Sequence, residues 1–116
     1  MIMKKKPNPP VKFDDVSTDP LVLLCPQCEG NNLHQRSVRA FFPDVEGSET
    51  REGTCTHVTH GASESDRDME DNPSYEREGL SVVFECETCD NASSLAIYQH
   101  EGLTLFKWEH LFTSRT

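Results

Sequence analysis

Leu80-Ser81-Val82-Val83-Phe84-Glu85-Cys86-Glu87-Thr88-Cys89 decides the fold, together with its earlier counterpart Leu21-Val22-Leu23-Leu24-Cys25-Pro26-Gln27-Cys28. In both, a short apolar run of β-prone residues leads directly into a Cys-x-x-Cys pair. Turn-forming residues follow: Gly30 and Asn31 after the first pair, Asp90 and Asn91 after the second. A Cys-x-x-Cys turn can direct two sulfurs and several backbone amides at one cation. Two such turns supply the four thiolates of a tetrahedral Zn²⁺ shell, at about 2.3 Å per sulfur. The expected cofactor is therefore Zn²⁺, and the expected metal ligands are Cys25, Cys28, Cys86 and Cys89. Fifty-seven residues separate Cys28 from Cys86, a tolerable gap because loop closure costs only about 0.6 kcal/mol more per doubling of length.

Two other uses of these cysteines fit less well. Lys4-Lys5-Lys6 leads into Pro7-Asn8-Pro9-Pro10 instead of an apolar stretch, so no export signal is expected, and an odd count of five cysteines would leave one thiol outside any disulfide set. Thiol redox chemistry at Cys25-Pro26-Gln27-Cys28 would need a following helix to lower the thiol pKa, and residues 29–42 do not read as one. Cys55, in Thr54-Cys55-Thr56-His57-Val58-Thr59-His60, invites a second metal site with His57 and His60. The β-branched alternation favours a strand, however, where Cys55 and His57 share a face and His60 points away. His34 and His100 lack ligand spacing. A closed four-thiolate shell leaves no position for substrate or activated water, so the metal is expected to be structural.

Outward from the cysteines the signals remain those of strands. Leu33–Phe42, Leu80–Phe84, Ser94–Gln99 and Leu103–Trp108 are β-prone, and no segment holds an apolar period of 3.6 over eleven residues. A two-residue turn at Glu101-Gly102 would set His100 opposite Leu103, Tyr98 opposite Leu105, Ile97 opposite Phe106 and Leu95 opposite Trp108, gathering Leu95, Ile97, Phe106 and Trp108 on one core face. A three-residue turn with Gly102 left-handed would shift the pairing and split this group, so the first register is preferred. The expected fold is mainly β: a small antiparallel zinc-ribbon domain over residues 21–112. An extended, flexible N-terminal tail is expected over residues 1–20, where four prolines fall. A long acidic insertion loop is expected over residues 43–78, with a short strand allowed at 54–60. Within it, Gly61 to Ser74 contains almost nothing to bury.

The chain has 116 residues, 34% of them hydrophobic, and a net charge of −9. That length suits one domain with a thin core, and a structural zinc site, at about 10–16 kcal/mol in small metal-dependent peptides, would decide whether it folds. No apolar run reaches membrane-spanning length. Between Asp44 and Asp90 lie fourteen acidic residues against three arginines, a local balance of −11, so the remainder sums to +2. An acidic surface of this kind suits a basic protein partner and repels phosphate. The expected role is thus a non-enzymatic adaptor or protein-interaction module in the cytoplasm, where thiols stay reduced. The alternative is a nucleic-acid-binding ribbon, transcription-related or phage regulatory, using Arg36, Arg39 and Lys107 with Tyr98 or Phe41 stacking on bases. Charge disfavours it. A Cys55–His57 catalytic dyad is the third reading, with neither pocket nor oxyanion donor to support it. The identity of the partner is open, and so is a homodimer formed through a sheet edge.

Cys25-Pro26-Gln27-Cys28, Leu33-His34, Asn72-Pro73-Ser74, Gly79-Leu80 to Cys89, and Leu95-Ala96-Ile97-Tyr98-Gln99-His100-Glu101-Gly102 with Trp108 together resemble a group of small bacterial and phage zinc-ribbon proteins. The resemblance spans roughly residues 21–110. It implies a zinc-ribbon fold and the same four ligands, and it carries no activity with it. The group's pattern places Gly directly after the first knuckle and Lys before the hairpin Gly. Here Glu29 and Glu101 stand there, which weakens any shared basic surface and leaves the metal shell intact.

Overall fold

Short apolar and β-branched runs bounded by Gly, Asn, Asp and Pro favour extended chain, and extended chain is what forms. The computed structural model describes residues 8–15 and 19–113. Among them there is no helix. Six strands, β1 (Leu33–Pro43), β2 (Gly53–Thr59), β3 (Ala62–Asp66), β4 (Gly79–Cys86), β5 (Ala92–His100) and β6 (Leu103–Phe112), form one antiparallel sheet in the order β3-β2-β1-β4-β5-β6. This is the mainly β, antiparallel class expected from the sequence.

Glu101 and Gly102 both take positive φ, 48° and 79°, the backbone of a two-residue type I′ turn whose twist matches its strands. It sets His100 against Leu103, Tyr98 against Leu105, Ile97 against Phe106 and Leu95 against Trp108, the register read from the sequence. The four large residues do share a face, yet only Leu95 and Trp108 are buried, whereas Phe106 is 53% exposed. The cover explains the difference. The segment around Cys25 docks at the Ser93 end of this face, where Gln27 Nε2 donates to Ser93 Oγ (3.0 Å) and to the Ala92 carbonyl (2.8 Å). Phe106 stands two rows further along.

Within residues 43–78 the short strand allowed at 54–60 is present as β2, and the rest is more ordered than the loop expected there. β2 and β3 form a hairpin that widens the sheet, turning at His60-Gly61 with Gly61 at φ 79°. β3 escapes an apolar-pattern reading because Ala62-Ser63-Glu64-Ser65-Asp66 is exposed on both faces. It is held by its backbone ladder and by cross-strand pairs such as Thr56 Oγ1 with Ser65 Oγ (2.8 Å). The stretch Gly61–Ser74 also contains more to bury than its composition suggests. Met69 joins Phe41 and Cys55 in a buried cluster. The Asn72 amide donates to the Arg77 carbonyl (2.8 Å) and its oxygen accepts the Ser74 N–H (3.0 Å), while Ser74 Oγ accepts the Gln99 N–H (2.9 Å). Gly79 lets this loop lie flat on β4: a Cβ there would collide with the Asn72 side chain and Pro73.

The tail expected over residues 1–20 falls partly outside the described residues, at 1–7 and 16–18. In its described part, Asn8 Nδ2 donates to the Trp108 and Glu109 carbonyls (2.7 and 2.8 Å). Phe13 bridges Leu23, flanked by Asp14 N–H to Val22 O (2.8 Å) and Leu24 N–H to Lys12 O (3.0 Å). The apolar run before Cys25 finds its partner there, so a boundary at residue 21 would cut through a paired ribbon. Met69→Ala should lower stability by about 2–4 kcal/mol through the cavity it leaves, whereas Val45→Ala, at an exposed position, should stay within about 0.5 kcal/mol. Urea unfolding of the two variants followed by Trp108 fluorescence checks both.

Candidate metal centre

The two Cys-x-x-Cys turns are built alike. In the first, the Cys25 N–H donates to the Gly30 carbonyl (2.8 Å) and the Glu29 N–H to the Cys25 carbonyl (2.8 Å). In the second, the Cys86 N–H donates to the Asn91 carbonyl (2.9 Å) and the Asp90 N–H to the Cys86 carbonyl (2.9 Å). Glu29 and Asp90, each directly after the second cysteine of its pair, both turn left-handed at φ 61° and 60°. The second turn is the connection of the β4–β5 hairpin, closed by Glu85 opposite Ala92. The first precedes β1, which pairs with β4 from Leu33 opposite Cys86, and the Glu87 N–H reaches the Asn32 carbonyl (3.0 Å). Sheet pairing therefore carries the two turns to the same end of the molecule.

There the structure brings all four expected sulfurs together, each within 4.8 Å of every other. Cys28 and Cys86 are 3.5 Å apart, Cys25 and Cys89 3.8 Å. A tetrahedron with metal–sulfur bonds of about 2.3 Å has edges of about 3.8 Å, so the arrangement has the size of a four-thiolate metal shell. The Gln27 N–H points at Cys25 Sγ (3.4 Å) and the Gly30 N–H at Cys28 Sγ (3.3 Å), a donor set that favours thiolate. Cys25 and Cys86 are buried and Cys28 is exposed. Burial raises the Cys86 thiol, but the Cys89 and Thr88 amides and the sulfurs of Cys28 and Cys89 outweigh it and bring it down to about 7. At Cys28 the Gly30 amide lowers the thiol, but burial and the three neighbouring sulfurs push it up to about 12. Cys25 is raised by burial against the amides of Gln27 and Cys28. Four sulfurs this close cannot all be anions without a cation among them. The group is thus arranged to hold a metal ion, and among the described residues no other set of three or more His, Cys, Asp or Glu ligand atoms converges this way.

Cys55, His57 and His60 do not gather. Cys55 and His57 lie on one face of β2 opposite Asp66 and Glu64, and His60 sits in the turn beyond the strand. The Cys55 thiol is raised, first by burial and then by Asp66, Asp68 and Asp71 against the lowering effect of Arg39, which leaves it a poor nucleophile at neutral pH. The residues expected to meet nucleic acid are each engaged within the chain. Arg36 is the extra residue of a β-bulge and pairs with Glu85 (3.6 Å); Arg39 pairs with Asp71 (3.1 Å); Lys107 stacks over the Tyr98 ring (4.8 Å). Phe41 is 1% exposed and cannot stack on a base. Arg39 and Lys107 do line a groove of about 570 Å³, but Glu70, Asp71 and Glu109 line it with them. Residue spacing pointed to the ligands. It marked Gly30 only as a turn former and not as a point of close approach, where a Cβ would lie 3.0 Å from Thr88 Oγ1 and 3.2 Å from Cys28 Sγ.

No protein-family model matches the chain, and neither a curated protein nor a solved structure is significantly similar to it. Gly30→Ala should force the two turns apart and weaken metal retention by about 1–2 kcal/mol, roughly tenfold in affinity. Adding Thr88→Ala should recover part of that loss, as read by chelator competition.

Proposed function

We propose that this is a non-enzymatic zinc-ribbon protein in which Cys25, Cys28, Cys86 and Cys89 hold one structural Zn²⁺, and that it serves as an adaptor for a basic protein partner. The observation that carries the metal reading is the pair of closest sulfur separations, 3.5 and 3.8 Å, matched to the edge of a Zn–thiolate tetrahedron. Four protein sulfurs fill the shell of a tetrahedral ion, which supports a structural role. Zn²⁺ suits an all-thiolate tetrahedron, and iron is its main competitor there.

The partner reading rests on charge placement. The β2–β3 hairpin carries Glu64 and Asp66 at the sheet edge farthest from β6, and the following loop brings Asp68, Glu70 and Asp71 back towards Arg39 on β1; all five are exposed. Arg39 engages Asp71, and Arg67 engages Asp44, which leaves an acidic excess on this side. Such a field steers a basic surface and repels phosphate. Among the described residues no helix is long and apolar enough to cross a membrane. Thiolate ligation supports a reducing, cytoplasmic setting.

Elemental analysis of the purified protein should give one zinc per chain; iron or no transition metal overturns the reading. Cys86→Ser or Cys89→Ser should abolish metal retention and unfold the chain, because binding and folding share one free energy. Cys55→Ala should keep its metal and cost about 1 kcal/mol for a buried sulfur. Zinc should leave as pH falls, never as it rises from neutrality toward pH 9, since protons compete for the thiolates; a chromogenic chelator reads the release. A pull-down at low salt that recovers no stoichiometric basic partner removes the adaptor role and leaves the metal site standing.

A further inference from the structure

Side chains alternate between the two faces of a sheet. On the face away from Leu95 and Trp108, the registers set Arg39, Ser81, Ala96 and Lys107 in one row across β1, β4, β5 and β6. The next row reads Ser37, Val83, Ser94 and His110. In both rows the two inner positions are short. Three strand spacings of about 4.8 Å hold the backbones of Arg39 and Lys107 roughly 14 Å apart, and the sheet between them is the floor of a groove of about 570 Å³. The loop with Glu70 to Pro73 bounds it at one end. Beyond the second row, Phe112 is 49% exposed and stands 6.0 Å from the His110 ring at a tilt of 35°, an aromatic ledge along the β6 side. Ser94 is only 5% exposed, lines the groove, and has no hydrogen-bond partner for its hydroxyl among the described residues. A buried hydroxyl without a partner carries a cost that alanine would avoid, so its place on this floor points to a ligand from outside the chain.

We propose that this groove binds a small neutral saccharide. Charge selects against ions. One wall sets Arg39 against Glu70 and Asp71, and the other sets Lys107 against Glu109, so neither an anion nor a cation meets a field of one sign. A zwitterion needs its two poles met separately, and here both signs stand on both walls. A polyhydroxyl molecule needs that mixture, because each of its hydroxyls donates and accepts at once. The capacity for such bonds is open. Arg39 gives one amino group to Asp71 (3.1 Å), and Ser81 Oγ takes one oxygen of Glu109 (3.2 Å). Lys107 lies over the Tyr98 ring at 4.8 Å with no carboxylate partner among the described residues. A sugar ring also has an apolar C–H face, which the ledge of Phe112 and His110 suits as a broad, flat surface. The volume falls within the range of small-molecule pockets, about 300–1,000 Å³. Walls as exposed as Lys107 and Phe112 set a weak affinity, in the millimolar range. This site is independent of the metal centre and of the acidic hairpin edge.

Heteronuclear NMR of the metal-loaded full chain tests this with glucose, galactose, N-acetylglucosamine, cellobiose and lactose, each raised to about 50 mM. At least one of these sugars should shift the amides of Ser37, Ser81 and Ser94 with a saturable, millimolar Kd. That Kd should hold between about 0.05 and about 0.5 M NaCl, since a neutral ligand is not screened. Inorganic phosphate and glutamate at the same concentration should leave these amides unmoved. Ser94→Ala should weaken sugar binding by about threefold to tenfold while its stability in urea stays equal or rises. Phe112→Ala, at an exposed strand end, reads the same groove without touching its floor and should weaken binding by about tenfold. Phe106→Ala, exposed on the opposite face, should leave binding unchanged. The proposal is overturned if none of the five sugars moves the groove amides, or if phosphate or glutamate binds there as tightly as the best of them. Full binding by Phe112→Ala, or by a folded Ser94→Ala, overturns it as well.

Discussion

Four sulfurs drawn within 4.8 Å of one another are the constraint on which the rest of this molecule depends. They tie the turn before β1 to the turn between β4 and β5, across 57 residues of sequence. Without a cation the cluster is uncomfortable, with one thiol drawn down to about 7 and another pushed up to about 12. A cation placed among them would relieve that crowding and close a long loop in the same event, which would couple metal binding to folding. The hydrogen bonding of the two turns is near-identical; a left-handed residue follows each second cysteine, and at the first turn the next amide, that of Gly30, points at Cys28 Sγ.

The apolar core is divided between the two faces of the sheet. On one face Phe41, Cys55 and Met69 pack beneath the loop that leads to β4; on the other, Val82, Leu95 and Trp108 are buried, with Phe84 edge-on to the Trp108 ring at 6.1 Å. Neither group is large. A single sheet has two faces to cover, and a chain of this length has little material for both. Polar fastening supplements the packing at Asn72 and Ser74, two buried side chains whose partners are all backbone groups. Arg51 adds a cap, lying over the Tyr75 ring at 3.9 Å and donating to the Met69 carbonyl.

What was legible in the sequence is what local chemistry enforces. Cys-x-x-Cys spacing located the sulfurs that converge, because a four-residue turn leaves few ways to place two thiols. Glu101-Gly102 fits a two- or a three-residue turn, and the β5–β6 register was legible because only the former keeps Leu95, Ile97, Phe106 and Trp108 on one face. The hairpin of β2 and β3 was half hidden: Thr54–Thr59 alternates, but Ala62–Asp66 is paired on one side only and buries nothing, so no apolar pattern marks it. Met69, Asn72 and Ser74 were hidden for a different reason. Their burial comes from a loop folding back on Gly53 and Gly79, where a Cβ would clash, and such close approaches follow from the assembled sheet and not from the neighbouring residues. Phe106 shows the reverse error, a large apolar residue on the core face that the assembled chain leaves open.

The sheet ends in two strands whose outer rims meet solvent in different ways. At β6, the Asn8 side chain occupies the carbonyls of Trp108 and Glu109, acceptors that an incoming strand would otherwise use. At β3, Glu64 and Asp66 place like charges along a rim only five residues long, so a second copy arriving edge-on meets electrostatic resistance before it meets hydrogen bonds. Both rims are thus blunted against the strand-by-strand growth that turns open sheets into fibrils.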